Sequence, residues 1–259
     1  AYVSQSFYLA LRPNMDATVG VDLYSSRGVG AALEYRYIFG DGTKGQVNLY
    51  QFWGKKTSDD TGLLKASIVR LNHNQDLPGG FKLAADVDYQ TSFTFTRDYD
   101  DDFRRAVTAN RSRQVVLSRA WSNFSFSARV SSYETYFSEL DDAIVNKTLP
   151  QVNFNVFKVK VLSGVYFSLN SSYNNYEYGW SGGTGGRLPR RMAQFRLQPA
   201  LIFPLTSLPW LTASVTAGGN FTSYSKSLDP ATGLLAAVPL TTLNGTLKVD
   251  LTGPVFYRI

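Results

Sequence analysis

The single histidine, His73, is the first side chain to consider for catalysis. It lies in the segment 72–76, between two stretches whose apolar residues alternate as in β-strands, and this position predicts a short turn. A serine hydrolase needs a serine and a carboxylate arranged around its histidine, and the spacing around His73 indicates no such arrangement. We therefore expect a structural turn histidine and no catalytic residue.

An acidic run is the best candidate for a metal site. Residues 98–102 hold four aspartates, but the glycine and the terminal glutamate that a helix-flanked calcium loop requires are missing. Arg104, Arg105, Arg111 and Arg113 flank this run and favour internal ion pairing instead. The chain has no cysteine, which excludes disulfides, thiol nucleophiles and zinc ribbons. We expect neither a metal nor a cofactor.

A glycine-rich segment, residues 179–186, reads GWSGGTGG and lacks the Gly-Lys-Ser/Thr needed to cradle a phosphate. It predicts a loop. Three arginines follow it directly: Arg187, Arg190 and Arg191. Because guanidinium groups bind phosphate bidentately, these arginines are candidate contacts for phosphorylated glycolipid headgroups. Ordinary rim charges are the alternative.

The elements that carry these side chains are predicted to be β-strands. Residues 15–24 alternate strictly, with Ala17 and Val19 on one face and Asp16 and Thr18 on the other. Similar patterns predict about thirteen strands: 6–11, 15–24, 29–39, 46–53, 64–72, 81–89, 113–119, 124–133, 151–161, 165–178, 192–203, 210–224 and 243–252. The orientation of the two faces of 46–53 stays open.

The predicted connections alternate between two classes. Short turns lie at 13–14, 41–45, 73–80, 121–123, 162–164 and 205–209. Polar and mostly longer loops lie at 25–28, 54–62, 91–112, 134–149, 179–189 and 225–239. Outer-membrane barrels segregate short and long connections to opposite ends in this way, whereas a Greek-key sandwich has no reason to do so.

Aromatic and charged residues support the same interpretation. Trp121 and Trp210 fall at short turns and Trp53 and Trp180 beside longer loops, as expected for aromatic belts at two membrane interfaces. Charges lie in mid-strand on the polar faces, where a lipid environment would cost an Arg or Lys about 2–4 kcal/mol. We therefore expect the apolar faces to contact lipid and the polar faces to line a lumen.

The overall composition narrows the partners. A net charge of +6 suggests an anionic partner. The basic residues are scattered rather than gathered on one stripe, which argues against nucleic acid and leaves phosphorylated lipid. The chain has no run of 18 apolar residues, which argues against a membrane helix. Its beginning lacks the pattern of a signal peptide, so a mature, trimmed or partial sequence is expected.

Several motifs, in order along the chain, resemble the outer-membrane LPS-assembly family LptD (organic-solvent-tolerance protein, OstA). Pro13, Asn14, Met15, Asp16, Ala17 and Thr18 resemble a hairpin between early barrel strands of that family. Segments 34–37, 88–103, 148–151 and 197–205 also match in order, although Thr91-Ser92 departs from the usual Ser-Asp pair. The resemblance covers nearly the whole chain but only part of the family's architecture.

The resemblance implies a function in lipopolysaccharide (LPS) transport. Members of the family carry a periplasmic jelly-roll domain and a larger barrel plugged by the lipoprotein LptE. LPS arrives from periplasmic LPS-bridge proteins and leaves through a lateral opening into the outer leaflet. Residues 1–259 are accordingly expected to be a partial outer-membrane β-barrel domain, with the jelly roll and the rest of the barrel outside them.

The sequence thus predicts an all-β fold, an antiparallel up-and-down transmembrane β-barrel of which about thirteen strands are seen. A complete bacterial barrel normally has an even number of strands, so a fragment of a larger barrel is expected. The predicted function is LPS insertion at the outer membrane of a Gram-negative bacterium. A general porin or hydrophobic-compound channel, an outer-membrane lipase and a soluble β-sandwich are the alternatives.

Overall fold

The structure is a computed structural model that describes residues 2–25, 27–40, 42–55, 63–92, 95, 110–136, 143–181, 190–205, 210–228 and 235–253. Its strands are β1 (Tyr2–Arg12), β2 (Met15–Tyr24), β3 (Gly28–Ile38), β4 (Thr43–Lys55), β5 (Leu63–Leu77), β6 (Phe81–Gln90), β7 (Asn110–Ala120), β8 (Phe124–Tyr136), β9 (Ala143–Leu162), β10 (Val165–Ser181), β11 (Arg190–Pro204), β12 (Thr212–Tyr224), β13 (Ser227–Leu228), β14 (Leu235–Ala236) and β15 (Leu240–Thr252). A 3-10 turn, Pro78–Gly80, joins β5 to β6.

Thirteen of these strands form one sheet in which the order in space follows the order in the chain, from β1 through β12 to β15. The described strand pairs are antiparallel. The remaining two, β13 and β14, form a small hairpin within the connection between β12 and β15. The predicted up-and-down arrangement is therefore confirmed. No helix in the described part of the chain is long and apolar enough to cross a membrane.

The predicted strand positions are confirmed, but several strands are longer than predicted. β8 and β9 extend into the predicted loop 134–149, so only residues 137–142 separate them. The connection 25–27 is likewise no longer than a turn, so the separation of connection lengths has exceptions. The strands extend through polar residues because the backbone N–H and C=O groups form hydrogen bonds with a neighbouring strand whatever the side chains are.

The chain divides into two units by its internal contacts. The first comprises residues 1–117, 129–147 and 177–189, and the second comprises 118–128, 148–176 and 190–259. The register within the first unit shows two distinct faces. One row of directly opposed residues runs through β1–β6 as Phe7, Val19, Leu33, Leu49, Val69 and Tyr89. The adjacent row runs as Tyr8, Thr18, Glu34, Asn48, Arg70 and Asp88.

We call these two sides the apolar face and the polar face. Successive side chains of a strand point to opposite sides of the sheet, so each face repeats at every second residue. Phe52 pairs with Gly30 and Ala66, which places it on the polar face together with Asn48. This register settles the orientation of β4, which the sequence left open.

The second unit repeats the pattern in β11, β12 and β15. Leu197, Phe221 and Leu243 form an apolar row, and Arg196, Thr222 and Thr242 form the neighbouring polar row. Apolar side chains of β15 are strongly exposed, with Leu243 at 77%. A sheet that exposes one apolar face and collects its polar residues on the other is suited to a membrane wall.

Candidate functional site

The apolar face is exposed along the row of directly opposed residues in β1–β4. Phe7 is 62% exposed, and Val19, Leu33 and Leu49 are each more than a third exposed. Monomeric soluble proteins rarely show a contiguous apolar surface of this kind. The face is suited to lipid contact, so the candidate site lies on the opposite, polar face.

Ion pairs form a ladder on the polar face of the first unit. The Arg36 Nε atom donates to Asp16 Oδ1 at 2.8 Å, and the two residues are directly opposed on β2 and β3. Arg70 Nε lies 3.6 Å from Asp88 Oδ1 across β5 and β6. Asp88 is also 3.6 Å, through Oδ2, from Nε of Arg111 on β7. Lipid would not accept these charges, and a wet or protein-filled lumen does.

The ladder continues along later strands of the same unit. Arg113 on β7 pairs with Glu134 on β8, and Tyr136 donates to the other carboxylate oxygen of Glu134 at 3.0 Å. Lys147 on β9 donates to Glu177 on β10 at 3.3 Å. Alternating charges of this kind present hydrogen-bonding groups to a polar, hydrated ligand.

An aromatic cluster caps the polar face near the end of the strands that the longer connections join. Phe52 is fully buried and Phe95 is 3% exposed, with ring centroids 4.9 Å apart. Tyr24 meets Phe52 edge to face at 5.8 Å, and Ala66 and Ile68 complete the cluster. Phe95 lies in the connection after β6, which the sequence marked only as a polar loop. The Phe95 amide donates to the Ser92 hydroxyl at 3.1 Å, and no periodic pattern in the sequence marks Phe95 as buried.

A cavity of about 340 Å³ lies on the polar face beside this cluster. Tyr2 and Ser4 both donate to Asp22 Oδ1, at 3.2 and 2.6 Å, on its wall. Small residues form its floor, since Gly20 opposes Ala32 on the neighbouring strand. Its remaining polar lining residues are Ser6, Thr18, Glu34, Asn48, Tyr50 and Arg70. This set of hydroxyls, amides and charges can hydrogen-bond sugars or phosphates.

The family-like hairpin motif, residues 13–18, is held against β3. The Asn14 side-chain amide donates to the Ile38 carbonyl at 2.8 Å, and the Ile38 amide donates to the Asn14 carbonyl at 2.9 Å. Pro13 forms the turn, Asp16 pairs with Arg36, and Thr18 lines the cavity. The remaining members lie on the apolar side: Tyr35 donates to Met15 Sδ at 3.6 Å, and Ala17 is 6% exposed. The motif therefore fixes the β1–β2 turn and contributes to both faces.

His73 does not lie in a turn, and this prediction was wrong. β5 continues to Leu77, and His73 is paired within the sheet with Gly45 and Ala85. Its Nδ1 atom is 2.6 Å from the Tyr37 hydroxyl, and Nε2 is 3.3 Å from Gln75 Oε1. The polar run around His73 resembles a turn in composition, but its residues alternate between the two faces of β5. No group of three histidines, cysteines or acids that could hold a metal occurs in the described ranges.

Arg190 and Arg191 begin β11, and both are exposed. They therefore lie inside the first residues of β11, whose predicted start was residue 192. Arg187 and the acidic run 98–102 lie outside the described residues.

The four tryptophans are exposed and lie at the ends of strands. Trp121 directly follows β7 and Trp210 lies two residues before β12, while Trp53 and Trp180 lie near the ends of β4 and β10. Arg119 places its guanidinium 4.3 Å from the ring centre of Trp121. The predicted distribution of tryptophans between the two strand ends is confirmed.

Comparison with known proteins gives one consistent family. The family model described as LptD, LPS transport system D, matches residues 65–233. The LPS-assembly protein LptD of Actinobacillus pleuropneumoniae serotype 7 is 27% identical over 79% of this chain and 25% of its own length. That of Cupriavidus necator is 27% identical over 84% of this chain and 25% of its own length. The chain thus spans about a quarter of the length of these relatives.

Among solved structures, a bacterial polysaccharide outer membrane secretin is similar over 96% of this chain and 77% of its own, with 9% identity and a TM-score of 0.35.

Proposed function

The chain belongs to the LptD family, and from this premise we propose that it forms part of the wall of a translocon that inserts LPS into the outer leaflet. Its location is the outer membrane of a Gram-negative bacterium. The observation that carries the proposal is the charged polar face, since the ladder from Asp16–Arg36 to Lys147–Glu177 gives a hydrated path beside a lipid-facing surface.

The proposed mechanism is passage and involves no catalysis. Sugars and phosphates of the glycolipid exchange hydrogen bonds with the polar face, while the apolar face keeps the wall seated in lipid. The cavity lined by Asp22, Glu34 and Arg70 offers both donors and acceptors for such a hydrated ligand. None of these groups needs to gain or lose a covalent bond.

The partners follow from the family and are part of the proposal. They are LPS itself, a lipoprotein plug of the LptE type against the polar face, and periplasmic LPS-bridge proteins that deliver LPS. Residues 1–259 form a partial barrel domain of the protein, and the periplasmic jelly-roll domain and the remaining strands lie outside this range.

We propose Arg187, Arg190 and Arg191 as contacts for glycolipid phosphates. The exposure of Arg190 and Arg191 at the start of β11 supports this role, since a guanidinium at a strand end can reach a headgroup. Replacement of all three by glutamine should lower LPS retention on the purified full-length protein. Replacement of Lys158 and Lys160, exposed in the half of β9 that leads to the short turn, is the matched control.

The function is tested by depleting the full-length protein and measuring LPS on the cell surface. Depletion should lower surface LPS, and re-expression of the wild-type protein should restore it. Unchanged surface LPS would contradict the proposal and favour the hypothesis of a general porin or hydrophobic-compound channel. No specific observation favours that second candidate, since both curated relatives described above are LPS-assembly proteins.

A further inference from the structure

The apolar face of the first unit carries a groove that the LPS path on the polar face does not use. It has a volume of about 530 Å³. The residues that line it from β2 to β5 include Val19, Ala31, Leu33, Leu49, Ser67 and Val69. Ala31 and Ser67 are small. The larger side chains of the adjacent apolar row, from Val19 to Val69, form one edge of the groove. The groove is therefore built by residue size on a face that otherwise carries bulky apolar side chains.

The polar side chains in this groove are satisfied within the protein. The Gln51 amide donates to the Phe52 carbonyl at 3.2 Å and to the Ala66 carbonyl at 3.1 Å. The Ser67 hydroxyl donates to the side-chain amide oxygen of Gln51, Oε1. Because these groups are already paired, the groove does not demand a hydrogen-bonding ligand, and a hydrocarbon chain can lie in it without cost.

One end of the groove is polar and basic. Trp53 and Lys65 are directly opposed on β4 and β5, and both are exposed. They lie two residues beyond Gln51 and Ser67 on the same face, a separation of roughly 7 Å along a strand. Tryptophan prefers the level of lipid headgroups, and a lysine near the membrane surface attracts anionic lipid.

We propose that this groove binds one acyl chain of a phosphorylated membrane lipid, with the lipid phosphate at Lys65. The occupant comes from the bilayer because the groove lies within the lipid-facing surface, and the ammonium of Lys65 selects an anionic headgroup. The proposal rests on the chain being a membrane wall and does not depend on the passage of LPS along the polar face.

The test is lipid retention by the purified full-length protein, measured by native mass spectrometry from mixed micelles. The probes are phosphatidylglycerol and phosphatidylcholine with identical acyl chains. Wild-type protein should retain phosphatidylglycerol preferentially. Lys65→Gln should lower the ratio of retained phosphatidylglycerol to phosphatidylcholine about fivefold, and Ala31→Trp, which fills the groove, should lower retention of both lipids.

Two controls separate the groove from the rest of the wall. Lys82→Gln removes an exposed lysine beside the turn between β5 and β6, and Val47→Trp adds the same bulk to the apolar face outside the groove. Neither should change retention. Folding is checked by heat-dependent migration, and Ser67→Leu replaces Ala31→Trp if that variant does not fold. The proposal is overturned if the groove variants retain as much lipid as the wild type, or if Val47→Trp loses as much lipid as Ala31→Trp. A photocrosslinker placed at position 31 should react with lipid, and reaction with protein instead also overturns the proposal.

Discussion

The phenol ring of Tyr50 lies over the backbone of Gly30 on the neighbouring strand. The two residues are diagonal across β3 and β4, since Tyr50 opposes Ala32 and Gly30 opposes Phe52. A Cβ atom at position 30 would collide with the hydroxyl and ring of Tyr50. The absence of a side chain at Gly30 therefore leaves room for the hydroxyl end of this tyrosine, which lines the cavity.

Gly30→Ala should destabilise the protein by about 1–3 kcal/mol, because the ring of Tyr50 must leave its place. Gly245→Ala is the matched control, since nothing lies within 4 Å of a Cβ built there, and its effect should stay within about 0.5 kcal/mol. Urea unfolding of the full-length protein measures both. Equal midpoints for the two variants would contradict the packing described for Tyr50.

Asp88 and Arg111 form an ion pair whose two members differ in exposure. The Arg111 side chain is 3% exposed, whereas Asp88 is 33% exposed. Asp88→Asn leaves the buried Arg111 without this carboxylate. It should therefore destabilise the protein by up to about 3 kcal/mol, the low end of the range for breaking a buried ion pair, because Asp88 is partly exposed. The control is Asp250→Asn, whose partner Lys248 is 70% exposed and whose loss should cost about 0–1 kcal/mol. Urea midpoints that shift equally would show that burial of Arg111 adds nothing.

The strands and their two faces could be predicted from the sequence because each needs only a local pattern. The alternation in 15–24 predicts both ends of β2 correctly, and the same pattern predicts β6. The sequence also placed the tryptophans correctly, since a belt residue is recognised by its distance from a turn. These features depend on the two-residue periodicity of a strand, which is visible in its own sequence without knowledge of the neighbouring strands.

The site depends on register, which a single strand does not encode. Arg36 meets Asp16, and Arg111 meets Asp88, only because the strands align at those residues. Phe95 is buried by Phe52 from a connection with no periodicity of its own. The Asn and Gln residues around His73 have the composition of a turn, but pairing with β4 and β6 holds them in β5, where they alternate between the two faces.

Arginine substitutions at two adjacent positions test which face meets lipid. Val19 lies on the apolar face and is 40% exposed, and Thr18 lies on the polar face. Val19→Arg should destabilise the protein by about 2–4 kcal/mol, the cost of a charge near the bilayer midplane. Thr18→Arg should have a much smaller effect because Glu34 is opposite. The free energy of unfolding of both variants is measured in lipid vesicles. A larger loss for Thr18→Arg than for Val19→Arg would show that the polar face meets lipid.

Substitutions of His73 distinguish a structural role of the imidazole from a role in the activity. Its ring nitrogens contact the Tyr37 hydroxyl and the Gln75 amide oxygen, and its ring centre is 5.8 Å from that of Tyr37. Because the neighbouring residues Tyr35, Tyr37 and Phe39 stack in sequence, an aromatic replacement keeps this packing. His73→Phe should therefore leave surface LPS at the wild-type level in cells that express the variant as their only copy. His73→Asp places a charge on the lipid-facing side and should lower the amount of folded protein. A folded His73→Phe variant that fails to restore surface LPS would show that the imidazole takes part in the activity.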